Sequence, residues 1–157
     1  MRKVSAILKE FNHPQEVIEL GETARSALDA ASSLNVPVGA IVKTLIFIIK
    51  YEKKETPVVA LISGDKKCDT KLIPAILNIK GSVVRPDAKT VKNITGYSIG
   101  GVSPLGLSQK LDLIIDKSLN RFDMIWSAAG HTHCVFGSTY NDLLIMTNAL
   151  ESDEITL

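Results

Sequence analysis

The stretch PVGAIVKTLIFIIKY, residues 37–51, decides the fold. From Ile41 onward it is rich in β-branched and aromatic residues, which marks a strand, and its one interior charge before Lys50 is Lys43. YEKKET follows as a polar turn, and PVVALIS, residues 57–63, supplies a second apolar run. The pair reads as a β-hairpin, both of whose strands are apolar enough to lie centrally in a sheet.

Upstream, Val4, Ile7, Leu8 and Phe11 recur at helical spacing and Pro14 ends the segment, which predicts a short first helix. Residues 16–20 predict a short strand. A second helix carries Ala24, Ala27, Leu28, Ala31 and Leu34 on one face, with Thr23 as its expected cap. Downstream, Asp69 is expected to cap a helix through Leu72, Ile73, Ile76 and Leu77, with Pro74 tolerated in its first turn. An extended SVVR and a helical turn opened by Pro86 and Asp87 come next. Residues 111–115, 124–129 and 133–136 predict three strands, with Gly130 separating the last two. A helix over 140–150, capped by Ser138 or Thr139, closes the order, and the acidic tail ESDEITL is expected to fray. Strands and helices interleave irregularly, which predicts α+β with a mixed, curled sheet in a single domain over residues 1–157.

Composition narrows the function. Of 157 residues 45% are hydrophobic and 22% charged, a soluble globular balance, and no apolar run is long enough to span a bilayer. The N-terminal apolar stretch is broken by Lys9 and Glu10, so it makes no secretory signal, and a cytoplasmic location is the default expectation. A net charge of +1 argues against a wide nucleic-acid grip and leaves room for a local patch. Lys66, Lys67 and Lys71, or Lys89, Lys92 and Lys110, could supply one. Cys68 and Cys134 lie far apart without CxxC spacing, which argues for reduced thiols rather than a disulfide framework or zinc knuckle.

Three places could hold chemistry. Lys43, with Thr44 beside it, is either a solvated lysine on an edge strand or a cation at the rim of a pocket. Residues 96–106, GYSIGGVSPLG, hold four glycines, which excludes a helix interior or regular central strand. They match neither a dinucleotide fingerprint nor a P-loop, which leaves an architectural turn or a loop presenting backbone N–H groups to a ligand. In His131-Thr132-His133-Cys134 an H-x-H pair invites a metal reading, but no further ligands at zinc spacing accompany it, and a surface turn is the simpler account. Cys134 sits in the apolar run HCVF, where inert thiols are common. Ser103 and Ser127 lack a nucleophile elbow.

The order ALDAASSLNVPVGAIVKTLIF, LISGD, TGYSIGGVSPLG and a late turn at Ala129-Gly130 resembles the YbaK-like aminoacyl-tRNA editing domains, relatives of the prolyl-tRNA synthetase editing domain. The blocks agree in order from about residue 23 to 147. The resemblance implies a mixed sheet wrapped by helices and metal-free deacylation of mischarged tRNA, often proline tRNA carrying a small non-cognate amino acid. It implies that Lys43 contacts the terminal nucleotide or ester carbonyl. It further implies that the Gly-x-x-x-Pro loop, Gly100, Gly101, Val102, Ser103 and Pro104, holds the aminoacyl end, with Thr44 and Gly130 nearby. The expected partner is the tRNA acceptor end, with an aminoacyl-tRNA synthetase as a further candidate, and no cofactor, metal or membrane. The competing reading is a non-catalytic tRNA- or synthetase-binding module, or a small-ester hydrolase of the same fold. After Gly130 the chain departs from its relatives, with His131-Thr132-His133-Cys134 where many carry a basic, glycine-containing turn. Substrate choice is expected to depend on how Leu28, Ile46, Leu61 and Val102 meet in space.

Overall fold

The computed structural model describes residues 1–21 and 26–157. In chain order its elements are α1 (Arg2–Glu10), β1 (Val17–Glu19), α2 (Ala27–Leu34), β2 (Val42–Tyr51), β3 (Lys54–Ser63), α3 (Ile73–Leu77) and β4 (Ser82–Val84). Then follow α4 (Ala88–Thr95), β5 (Asp112–Asp116), β6 (Ile125–His131), β7 (Cys134–Ser138), α5 (Tyr140–Thr147) and β8 (Leu150–Ser152). The hairpin is as expected, with Val42 opposite Ser63 and Tyr51 opposite Lys54. Its turn is tighter than expected, because Lys54, Glu55 and Thr56 continue the ladder.

The strands form two sheets. One runs β4-β2-β3-β5-β8, the other β1-β7-β6, and a bridge between Ile41 and Trp126 joins them. The larger sheet is mixed, as the irregular interleaving implied: β2 is antiparallel to β3 and β4, whereas β3–β5 and β5–β8 are parallel. Side chains of a strand alternate between faces, and the two faces of the hairpin build separate cores. Val42, Ile46, Val59 and Leu61 pack with Phe136 and Ile125 of the smaller sheet, while Phe47, Ile49, Val58, Ala60 and Ile62 pack with Ile73, Ile114 and Ile155.

Caps follow the local sequence. Ser26 Oγ accepts from Asp29 N at 3.1 Å to start α2, Asp87 caps α4, and Thr139 caps α5. The expected cap Thr23, and Ala24, lie outside the described residues. Asp69 makes no side-chain cap; its segment opens with a single 3-10 turn, and Pro74 falls in the first turn of α3, where its missing N–H costs nothing. Gly130 does not separate two strands but lies within β6, where the register with β7 shifts between Ala128 and His131. The expected frayed tail is also corrected. Residues 150–152 form β8 alongside β5, Leu157 N donates to Lys67 O at 2.9 Å, and Ile155 is fully buried. Burial of a side chain that size contributes about 1.5–3 kcal/mol, enough to hold an otherwise acidic tail.

Candidate functional site

β2 is paired unevenly. One edge meets β3 throughout, but on the other edge β4 covers only Ile48, Ile49 and Lys50, and Trp126 meets only Ile41. Between them, from Val42 to Phe47, no strand pairs with that edge among the described residues. A cavity of about 460 Å³ opens there. It is walled by Ala27 and Ala30 of α2, by Arg85 and Val91, by Ile99, Gly100 and Val102 of the glycine loop, and by Trp126, His131, Thr132 and Cys134.

Lys43, Thr44, Gly100 and Val102 all line this cavity. Of the other expected site residues, Gly101, Ser103 and Pro104 are buried in the loop behind it, and Gly130 lies in the β6 bulge beside Met1 and Tyr97. Among the residues expected to set pocket volume, Ile46 and Val102 line the cavity. Leu61 does not, because β3 lies between two strands and buries it completely, and Leu28 is 71% exposed on α2.

The alternation of β2 places Lys43 on the face of Leu45 and Phe47, opposite Val42 and Ile46. Its ammonium donates to the Lys66 carbonyl at 2.5 Å, across the turn that follows β3. Burial pushes its pKa below that of an ordinary lysine, while Cys68, Asp65 and Asp116 pull the other way and Lys67 adds to the depression. Cys68 next to it is pushed up to about 11 by burial, so this thiol is neutral at pH 7. Thr44 Oγ1 is buried without a hydrogen-bond partner among the described residues. An unpaired buried hydroxyl costs about 1–3 kcal/mol, a cost that a ligand group could offset.

The glycine loop is held by hydroxyls and by close backbone packing. Thr95 Oγ1 donates to Val91 O and accepts from Tyr97 N, Tyr97 Oη donates to Leu105 O at 2.6 Å, and Ser103 Oγ accepts from Leu105 N. Gly100 adopts φ 93°, a conformation few other residues take. At Gly101 a Cβ would stand 2.9 Å from the His131 backbone nitrogen, so only glycine lets the loop meet the β6–β7 turn. The Gly101 N–H is committed to Ser98 O at 3.0 Å, whereas those of Gly100 and Val102 bond to nothing among the described residues. By the same measure the N–H groups of Ser98, Ile99, Ser103 and Gly106 are uncommitted too, but of these only Ile99 also lines the cavity.

The His131-Thr132-His133 turn does reach the cavity. The two imidazoles stack at 5.2 Å between centroids, and His133 N donates to His131 Nδ1. No group of three or more His, Cys, Asp or Glu placed to hold a metal occurs among the described residues. The lysine sets divide: Lys66 lies at the Lys43 turn and Lys89 and Lys92 ride α4 beside Val91, but Lys110 lines a separate depression with Ile7 and Leu113.

Arg85 escaped the sequence reading. It lines the cavity with its guanidinium 5.7 Å from the Phe47 ring centroid and has no carboxylate partner among the described residues. Its placement follows from β4 ending just before it. A second missed group is Asp65 and Arg121, joined by two hydrogen bonds of 2.8 and 3.2 Å, with Ser63 and Asp116 alongside. Asp65 was visible only as part of the LISGD block, and nothing in the sequence links it to a residue 56 positions away.

The fold thus sets the open edge of a mixed sheet, with Lys43 among its residues, beside a glycine loop. A solved structure described as a "putative trans-editing enzyme for prolyl tRNA synthetase" matches with TM-score 0.85 and 30% identity, over 97% of this chain and 94% of that one. The profile of the aminoacyl-tRNA editing domain matches residues 21–145, and the chain belongs to that family. Among its relatives is an Enterococcus faecalis protein named "Putative Cys-tRNA(Pro)/Cys-tRNA(Cys) deacylase EbsC", 31% identical over 78% of this chain and 73% of that protein. Another is the Bacillus subtilis protein YwhH, whose function is uncharacterised, 26% identical over 91% of this chain and 88% of its own length. No helix among the described residues is long and apolar enough to cross a membrane.

Proposed function

We propose that residues 1–157 act as one free-standing trans-editing domain, a hydrolase that cleaves the ester of a mischarged tRNA. The observation that carries this reading is the convergence on one cavity of a half-buried lysine, an unpartnered threonine hydroxyl and uncommitted loop N–H groups. The names of the relatives favour proline tRNA bearing a small non-cognate amino acid.

Ester hydrolysis needs an electrophilic carbonyl, a positioned water and stabilisation of the developing oxyanion. Gly100 and Val102 supply N–H donors for the oxyanion, and the Lys43 ammonium anchors the terminal nucleotide or polarises the carbonyl. Water adds to the carbonyl carbon, the bond to the ribose oxygen breaks, and that oxygen takes up a proton as the free amino acid leaves. The tRNA's own neighbouring hydroxyl serves to orient the water. Cys68 and Cys134 have no part in it, since burial raises both thiols. The tRNA end meets the protein at the cavity mouth in the cytoplasm, without metal or cofactor, and an aminoacyl-tRNA synthetase is a candidate partner for handing it over.

Deacylation of a panel of mischarged tRNAs tests the reading. Acceleration on one or a few members is expected. A folded protein that accelerates none is a binding module instead, and equal rates on free aminoacyl esters and full tRNA would make it a small-ester hydrolase.

A further inference from the structure

Lys43 does not hold its position alone. Its ammonium is met by the carbonyl of Lys66, in a turn whose Asp65 and Lys67 are exposed. Gly64 N donates to Ile41 O, and the single Ser63 Oγ proton has two acceptors within reach, Gly39 O at 2.5 Å and Asp65 Oδ1 at 2.9 Å. From the far side Arg121 reaches back across 56 residues, donating from Nη1 and Nη2 to both Asp65 oxygens and from Nη2 to Ser63 Oγ. The guanidinium is itself fixed, because Nε donates to Ser118 O at 2.6 Å, and Ser118 is held by Asp116. Buried Asp116 completes the circuit by accepting from Ser63 N at 3.0 Å.

We infer that the Asp65–Arg121 pair is a positioning device for Lys43, acting through the turn that presents the Lys66 carbonyl. The inference rests on the proposed role of Lys43 and extends it to two residues outside the cavity lining. A planar guanidinium bonded to both carboxylate oxygens fixes orientation as well as distance, which a lysine at the same place would not do. The pair also sets the field at the ammonium. The charged and titratable groups around Lys43 are Cys68, Asp65, Asp116 and Lys67, with Lys66 and Arg85 near the same turn and strand edge. Asp65 favours the charged form of Lys43, and Arg121 tempers that influence by pairing with it.

The two partners therefore predict opposite electrostatic signs. Asp65→Asn, nearly isosteric, removes a negative charge and lowers the Lys43 pKa. Arg121→Ala leaves Asp65 unpaired and raises it. Simple loosening of the turn would hydrate Lys43 in both variants and raise the pKa in both. The experiment follows Lys43 by NMR in protein labelled at the lysine ε-carbon, with the resonance assigned by Lys43→Arg. A downward shift of about 0.5 pH unit is expected in Asp65→Asn and an upward one in Arg121→Ala. In parallel, kcat for deacylation should fall about tenfold in Arg121→Ala with KM nearly unchanged, and Arg121→Lys should recover part of it. An upward shift in Asp65→Asn, or no shift in either variant, overturns the inference. Wild-type protein that deacylates nothing would overturn the enzymatic reading alone, because the NMR titration needs no turnover.

Discussion

The two segments that flank β2, the turn beyond its β3 partner and the glycine loop at its open edge, are built by different means. The turn at residues 63–67 is fixed by side-chain charge: an exposed aspartate–arginine pair, the buried Asp116 and a serine hydroxyl. The loop at 96–106 carries no charged side chain and is fixed by glycine conformation, close backbone packing and hydroxyl bonds to carbonyls. A charged wall can set the protonation of a lysine. A wall of backbone can present N–H donors at fixed spacing without competing charge. The first should therefore answer to substitutions that alter charge, and the second to those that add volume.

The largest effect falls on Lys43, which lies on the strand between the two segments. Lys43→Ala should fold normally and lose on the order of 100-fold in kcat/KM for deacylation, measured on a charged tRNA that the wild type cleaves. Turnover equal to wild type would show that the cavity works without its cation. The wild-type pH profile carries the same information. Burial depresses the Lys43 pKa, so activity that needs the ammonium is complete below that pKa and is lost as pH rises through it. The alkaline limb should thus arrive earlier than an ordinary lysine would give, and should vanish in Lys43→Ala.

On the other wall, Gly101→Ala should cost about tenfold in kcat, because its Cβ would press on the His131 backbone and displace the loop. Tyr97→Phe tests the hydroxyl bonds. It leaves the buried Leu105 carbonyl without its donor and should lower unfolding free energy by about 1–2 kcal/mol in urea titration, with no change in the alkaline limb. A shifted limb in Tyr97→Phe would mean that the walls are coupled. The smallest effect is on Cys68, at the foot of the charged wall. Its alkylation should be slow at pH 7 and climb about tenfold per pH unit toward about 11.

Hairpin, glycine loop and the starts of α4 and α5 were legible because each rests on neighbours in sequence: β-branched runs, four glycines close together, an aspartate or threonine before a helix. The caps expected at Thr23 and Asp69 were not what starts α2 and α3. The family blocks pointed to Lys43 and to residues 100–104. What could not be read depends on distant segments meeting. Arg121 shows its role only once residues 117–121 lie beside the turn after β3, and Arg85 only once β4 stops short of the open edge. The tail was misjudged for a related reason: its acids announce solvent, while the single Ile155 that anchors it gives no periodic signal.

Pairing of β1 with β7 brings Val17 against Phe136, well over a hundred residues apart in the chain. At ribosomal speeds of about 5–20 residues per second, β1 waits about 6–24 seconds for a partner strand that has yet to be made. The β2–β3 hairpin, closed by a two-residue turn, needs no such delay. During that interval the nascent chain carries a ready hairpin behind an unpaired segment, so β1 joins its sheet late in folding.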